Sequence, residues 1–569
     1  MYLRNVAPRR PDVEVIGWIS GSGPLSCDHV TADGGRYHPA VPPPGPSWAR
    51  RPLVACAVLL AAYLALSLLN DPRAYLGTDT GGKVATLEVM TDRGRLDPDI
   101  GYWAEEWDPG GRVHPLYYTS KVGDRWVNVT TLPMLYAGYP LYRLGGYRLM
   151  VLVPMLGSVL AALAARAVVR RTSGSDGWPA FWIVGLASPL TVYALDFWEH
   201  SVGVAAMAWG VVVLLGIVEG HRSAAWGLAA GALFGLAATM RTEALVYGFV
   251  ATAAACAVIW LARPTVAASS AALAPRLAAT ATAAATASAD VGADRLLEAG
   301  VYTVGMHARL DTESVLLGLA LLGLLGYVAV RATRTGDAGP AAVALAGAAF
   351  LYVLRFAAGP GFVPGLFAAA PVAVVGALRG WSTPAGRYVV AVALLALPIV
   401  NATQFQGGAA PQWGARYVLV SGLLLTAVGA GVLGGLRAWA QRGLVAMAVA
   451  VTAFGLMWMS VRTHAFGSAL QWLHDRPEPV LVSRITHMAR EGGVFYGERR
   501  WLTAETDADQ SFAVRVLEQA GVDRFGLVTR GASPDEPDSI PGWRIEGQDS
   551  MPLVSGIDLY VTTYQALRP

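Results

Sequence analysis

From Pro52 onward the sequence is a succession of long apolar blocks separated by short polar connections. The blocks run for roughly 17–25 residues, the length a helix needs to cross about 30 Å of hydrocarbon. Backbone groups in lipid have no water to bond, so such blocks fold as helices. The pattern predicts about thirteen spans, near residues 52–70, 148–168, 178–195, 201–218, 223–240, 244–262, 277–296, 315–331, 340–356, 363–378, 388–401, 417–435 and 443–462. The seventh contains LAATATAAATASAD between Arg276 and Asp290. It reads as a packed helix built on small residues or as a surface helix.

Two stretches break this rhythm. Segment 71–147 is too long for a simple connector. TGGKVATLEVMTDRG within it has helical spacing, with Val84, Leu87 and Met90 on one face, and suits a helix lying along the membrane surface. Tyr102, Trp103, Trp107, Tyr117, Tyr118 and Trp126 suit the lipid–water interface. After the last block, PVLVSRI, GVFYGE, RFGLVTR and DLYVTTYQ read as short strands. DADQSFAVRVLEQAG between them reads as an amphipathic helix with an acidic start. Strands alternating with helices predict a small α/β domain over 466–569, acting as a lid, an acceptor-binding module or a packing element. The fold class expected is therefore a polytopic α-helical membrane protein with a transmembrane core over 51–465, a first outer loop at 71–147 and a C-terminal extracytoplasmic α/β domain.

Composition sharpens the class. Of 569 residues, 54% are hydrophobic and 15% charged, against about 25% charged in soluble domains. The net charge of +3 and the lack of a basic stripe with interleaved aromatics exclude nucleic acid as a partner. Cys27, Cys56 and Cys256 form neither a disulfide framework nor a metal spacing. Residues 1–50, rich in Pro and Gly, lack the features of a signal peptide and read as a disordered cytoplasmic tail, or as residues ahead of the true start.

Charge also sets an expected orientation. Arg50 and Arg51 precede the first block and favour a cytoplasmic N-terminus. On that assumption every inner connection carries Arg, as in RAVVRRTSGSDG, EGHRSAA and LRAWAQRG. The odd span count puts the C-terminus outside, in a multi-pass plasma-membrane protein.

The unusual polar residues then all fall on the outer side. They are Asp79 and Lys83 in LGTDTGGK, Asp196, Glu199 and His200 in YALDFWEHSVG, Arg241 and Glu243 in ATMRTEAL, and Gln412 and Arg416 in PQWGARYVL. Ionisable residues at span edges are costly and are functional candidates. Each also has a plainer reading as a polar turn, a snorkelling arginine or an interface anchor. If the fourth span starts early, Asp196 shares a helix face with Glu199 and His200. Together the set has a chemical logic: arginine forks match phosphate oxygens, a carboxylate near a hydroxyl serves as general base, and paired carboxylates hold a divalent cation.

These residues resemble the GT-C superfamily of polytopic glycosyltransferases, close to bacterial members related to protein O-mannosyltransferases (glycosyltransferase family 39-like). The resemblance rests on Asp79 after the first span, HPLYYTS and NVTTLPMLYAGYPLYRLGG before the second, FWEHSVG at the fourth, GLAAGALFGLAATMRTEAL closing the fifth, and GGAAPQWGARYVL. It covers roughly 52–465. It implies inverting transfer of a sugar from a polyprenyl-phosphate donor to a glycan, lipid or protein acceptor, with Asp79 as catalytic base. Many members carry paired acids in the first loop. Here Thr80 follows Asp79, which leaves a divalent cation (Mg or Mn) as an open expectation. Arg241 and Arg416 are the candidates for the donor phosphate. Asp196, Glu199, His200, Glu243, Lys83 and Gln412 are candidates for orienting the acceptor or a cation, and Lys83, one turn from Asp79, for holding that acid ionised. Gly77, Gly81 and Gly82 are expected to let backbone and substrate approach closely. A transporter or flippase for lipid-linked sugars and a ligase moving whole glycans are the alternatives.

Overall fold

The computed structural model describes residues 51–128, 131–261, 365–403, 413–532, 539–554 and 557–567. The expected spans at 277–296, 315–331 and 340–356, the tail 1–50 and Gln412 lie outside the described residues.

Among the described residues the apolar blocks are helical. They include α1 (Pro52–Ser67), α4 (Leu152–Thr172), α7 (His200–Val218), α8 (Gly227–Ala238) and α9 (Glu243–Leu261), followed by helices Pro384–Thr403, Leu419–Val432 and Ala438–His474. Among the described residues five helical segments are long and apolar enough to cross a membrane: Leu152–Thr172, His200–Val218, Glu243–Trp260, Arg416–Gly435 and Ala438–His474. α7 is enclosed by other helices, whereas α1, α8 and α9 turn Leu53, Leu228, Leu245 and Phe249 outward, as lipid-facing helices do.

The block expected at 178–195 is broken. α5 (Trp178–Leu186) stops, and α6 (Pro189–Tyr193) restarts after Ser188, whose hydroxyl accepts from the Leu190 N–H at 3.2 Å. Pro189 has no N–H to continue the first helix, and serine is a preferred cap. A second break lies in α3 (Leu132–Met150), where Gly146 takes φ +61°, a conformation costly for any residue with a Cβ. This bend positions Tyr147.

The long connection holds α2 (Thr78–Asp92) and a two-stranded hairpin, β1 (Thr119–Val122) antiparallel to β2 (Arg125–Asn128). α2 does not lie on a surface: Val84, Leu87 and Met90 are wholly buried and most of the other face is enclosed as well. The aromatics expected at the lipid interface also differ. Tyr102 and Trp126 are buried in a core shared with the tail unit, which Trp103 and Trp107 flank; Tyr117 and Tyr118 remain exposed.

The tail unit is a five-stranded sheet in the order β4-β3-β5-β7-β6, built from β3 (Val480–Ser483), β4 (Arg500–Thr503), β5 (Arg524–Gly531), β6 (Trp543–Val554) and β7 (Ile557–Ala566). β3 runs parallel to β4 and β5, and β7 antiparallel to β5 and β6. Helix Asp507–Gln519 and residues 100–126 of the long connection pack on one face. Ala469, Leu470 and Leu473, at the end of the last helix, pack on the other. At about 1.5 Å per residue the 37 residues of Ala438–His474 outreach the hydrocarbon layer, and their final turns support the sheet. GVFYGE, expected as a strand, is instead a tight turn at Gly493–Phe495 pressed against α2.

Candidate active site

The N-terminal ends of α2, α7, α9 and helix Leu419–Val432 meet at one place, together with the connector 194–199 and the tail segment Met488–Glu491. Asp79 occupies the first turn of α2, where the peptide dipole favours a carboxylate. Its side chain is 36% exposed. Arg416 approaches one carboxylate oxygen at 3.5 Å, and Arg490 approaches the other at 3.4 Å. Arg416 also donates to Tyr417 Oη at 2.9 Å.

Behind this open acid lies a sealed charge network. Lys83 Nζ is 2.6 Å from Glu199 Oε2, and Arg241 Nη1 is 3.1 Å from Glu199 Oε1. Arg241 Nε reaches Glu243 at 2.8 Å. Burial pushes the Glu199 carboxyl up, but the Lys83 ammonium and the Arg241 guanidinium outweigh it and hold the group well below the usual carboxylate range. The Arg241 and Arg416 guanidiniums both lie over the Tyr417 ring, at 4.7 Å from its centre, which couples the sealed network to the open acid.

Asp196 is fully buried in the connector before α7. Tyr147 Oη donates to it at 2.6 Å and Thr80 Oγ1 at 2.9 Å. Burial raises its carboxyl to about 6, against the pull of those bonds and of Lys83. His200 lies near the Tyr193 and Trp198 rings, at 5.1 and 4.8 Å, with neither ring nitrogen hydrogen-bonded to the protein.

The structure thus brings together Asp79, Lys83, Asp196, Glu199, His200, Arg241, Glu243 and Arg416 in one region. Four details refine the expected roles. Lys83 serves Glu199 rather than Asp79. Asp196 does not share a helix face with Glu199 and His200, because α7 begins only at His200 and Asp196 sits in the preceding bend. Arg241 has two of its nitrogens held by carboxylates. Gly81 and Gly82 admit the tail segment: a methyl at Gly81 would stand 1.8 Å from the Arg490 carbonyl oxygen, and one at Gly82 2.7 Å from Arg490 Nε.

Sequence reasoning did not find Arg490, Tyr147, Thr80 or Tyr118. Tyr118 has φ 64°, a strained conformation for a non-glycine residue. The Arg490 guanidinium lies 5.4 Å from the centre of its ring. Tyr118 borders a cleft of about 240 Å³ lined also by Arg112, His114, Tyr117, Glu505 and Asp509.

A divalent cation does not fit this donor set. Mg or Ca takes about six or more oxygen ligands, but Asp79 faces two guanidiniums, Glu199 a lysine and an arginine, and Asp196 two hydroxyl donors. Among the described residues no group of three or more His, Cys, Asp or Glu side chains is arranged to hold a metal.

No family model and no curated protein matches the chain. Among solved structures it is similar to ArnT from Cupriavidus metallidurans in the apo state, with 13% identity over 89% of this chain and 97% of that one, and a TM-score of 0.43. The undecaprenyl phosphate-bound form of that protein covers the same shares at 12% identity and a TM-score of 0.40. The chain is also similar to the Archaeoglobus fulgidus oligosaccharyltransferase tethered with an acceptor peptide containing the NVT sequon, with 12% identity over 84% of this chain and 70% of that one, and a TM-score of 0.44. That oligosaccharyltransferase is also seen in complex with zinc and sulfate. The likeness is distant, and the roles assigned below rest on the side chains of this chain.

Proposed function

We propose that the chain is a membrane glycosyltransferase that moves a sugar from a polyprenyl-phosphate donor to an extracytoplasmic hydroxyl acceptor, with inversion at the anomeric carbon. The observation that carries this reading is Asp79: a part-open carboxylate at a helix N-terminus, faced by two guanidiniums, where apolar helices end in a polar cluster.

In this reading Asp79 takes the proton of the acceptor hydroxyl. The acceptor oxygen bonds to the anomeric carbon as the bond from that carbon to the phosphate oxygen breaks, and the electron pair leaves with the phosphate. The departing lipid phosphate gains negative charge, which Arg416 and the converging helix N-termini offset. Glu199, Lys83, Arg241 and Glu243 form the rigid base that holds Tyr417 and α2 in place. The cleft beside Tyr118 has aromatic faces, acids and hydroxyls that suit a polyhydroxylated acceptor. The core over 51–465 carries the reaction and the domain over 466–569 lies on the same, outer side.

The test is to purify the protein into lipid nanodiscs and supply a panel of polyprenyl-phosphate sugars, with nucleotide-linked sugars in parallel. Release of free polyprenyl phosphate from at least one lipid-linked donor, with none of the nucleotide sugars consumed, is expected. Passage of intact lipid-linked sugar across vesicles without cleavage would replace this reading with that of a flippase.

A further inference from the structure

We infer that Arg490, delivered by the tail domain through a glycine seat on α2, is a binding residue for the phosphate group of the lipid-linked donor. The inference rests on the glycosyltransferase reading above and adds to it: the tail domain completes the donor side of the site.

Three observations carry it. Arg490 is 1% exposed, and burying an arginine so deeply is costly unless its charge is met. Its partners meet that charge poorly. Nη1 stands 3.4 Å from Asp79, Nη2 reaches the Asn128 side-chain oxygen at 3.4 Å, and Nε and Nη1 make no hydrogen bond. Asp79 is moreover shared with Arg416. A buried planar fork with unmet donors, aimed at a part-open acid, suits a bidentate phosphate. Burial pulls the Arg490 guanidinium below its ordinary range while Asp79 opposes this, so an incoming anion is the group that would relieve it.

The third observation is how the residue is held. Gly81 and Gly82 leave no room for a methyl group against Arg490, and Gly493 leaves none against the Gly81 carbonyl oxygen, which would stand 2.1 Å from an added Cβ. Such contact from both sides fixes the guanidinium to the same helix turn as Asp79. Arg462, in the last helix, holds the next tail residue, Glu491, at 2.6 Å. The acid that would activate the acceptor and the cation that would hold the phosphate are therefore built as one rigid unit from two distant parts of the chain.

The experiment uses the full chain in nanodiscs and native mass spectrometry to measure binding of polyprenyl phosphate, neutral polyprenol and inorganic phosphate. Arg490→Gln should weaken polyprenyl phosphate binding by tenfold or more and leave the weaker polyprenol binding unchanged. Inorganic phosphate in excess should compete with the lipid phosphate in wild type. Wild-type affinity for polyprenyl phosphate in a folded Arg490→Gln protein would overturn the inference. Since that variant removes a buried charge, hydrogen exchange of the wild-type chain supplies a second measurement. Saturating polyprenyl phosphate should protect the peptides covering 77–83 and 486–493, and no protection there would equally overturn it. Failure of the general reading is separable. If Asp79→Asn turns over donor normally while Arg490→Gln loses phosphate binding, the base assignment falls and the phosphate site stands.

Discussion

The Lys83 ammonium lies 2.6 Å from the Glu199 carboxylate, with the two side chains 2% and 6% exposed. Removing one member of such a buried pair leaves a charge without its partner, at a cost of about 3–5 kcal/mol. Lys83→Met should lower the melting temperature in detergent by several degrees. Adding Glu199→Gln should restore part of the loss. A Lys83→Met protein that melts with wild type would show that the pair is not structural.

Gly81 and Gly82 serve close packing rather than flexibility, and this separates them from glycines in open space. Gly81→Ala should undock the segment around Arg490, abolish turnover and open residues 484–499 to limited proteolysis. Gly231→Ala is the contrast, because a methyl there meets nothing within 4 Å. In the middle of α8 it should be neutral, or stabilising by about 0.5–1 kcal/mol. Equal effects of the two substitutions would contradict the seat.

Asp196 gives a pH dependence with a definite sign. Its folded carboxyl titrates at about 6 instead of 3.8, so the folded state holds this proton more tightly than the unfolded chain. The group's contribution to stability therefore falls as pH rises from about 4 through about 6. Asp196→Asn preserves the shape and removes the titration. The melting temperature of the variant relative to wild type should climb across that window. A difference independent of pH would contradict the assignment.

His200 has no hydrogen-bond partner in the protein for either nitrogen. A buried polar group left unmet lowers stability, and such groups in native proteins call for an explanation. His200→Phe should melt at or above wild type while transfer falls at least tenfold. Wild-type turnover in that variant would remove His200 from the site.

Much of this was legible from apolar periodicity, because lipid-crossing helices need long uninterrupted runs. The exceptions have local causes. The block at 178–195 is interrupted by Ser188-Pro189, a cap and a residue without N–H. β6 was missed because it is an edge strand largely exposed on both faces, so it shows no apolar alternation. β4, at the other edge, is only four residues long. In the site, sequence spacing suggested that Lys83 pairs with Asp79 on its own helix. The partner is Glu199, 116 residues away, since a buried ammonium needs a buried acid. Arg490 could not be singled out, because nothing local distinguishes a buried arginine from exposed ones nearby. Its trace in the sequence is Gly493, which packs against Gly81.

The most direct test of the account is single-turnover donor cleavage by wild type and a folded Asp79→Asn variant, each saturated with the polyprenyl-phosphate sugar the wild type consumes. The amide keeps the size of the side chain and removes its capacity to take a proton. The account predicts that the variant binds donor within a few-fold of wild type and transfers its sugar at least a hundredfold more slowly. Equal transfer rates in the two proteins would contradict it.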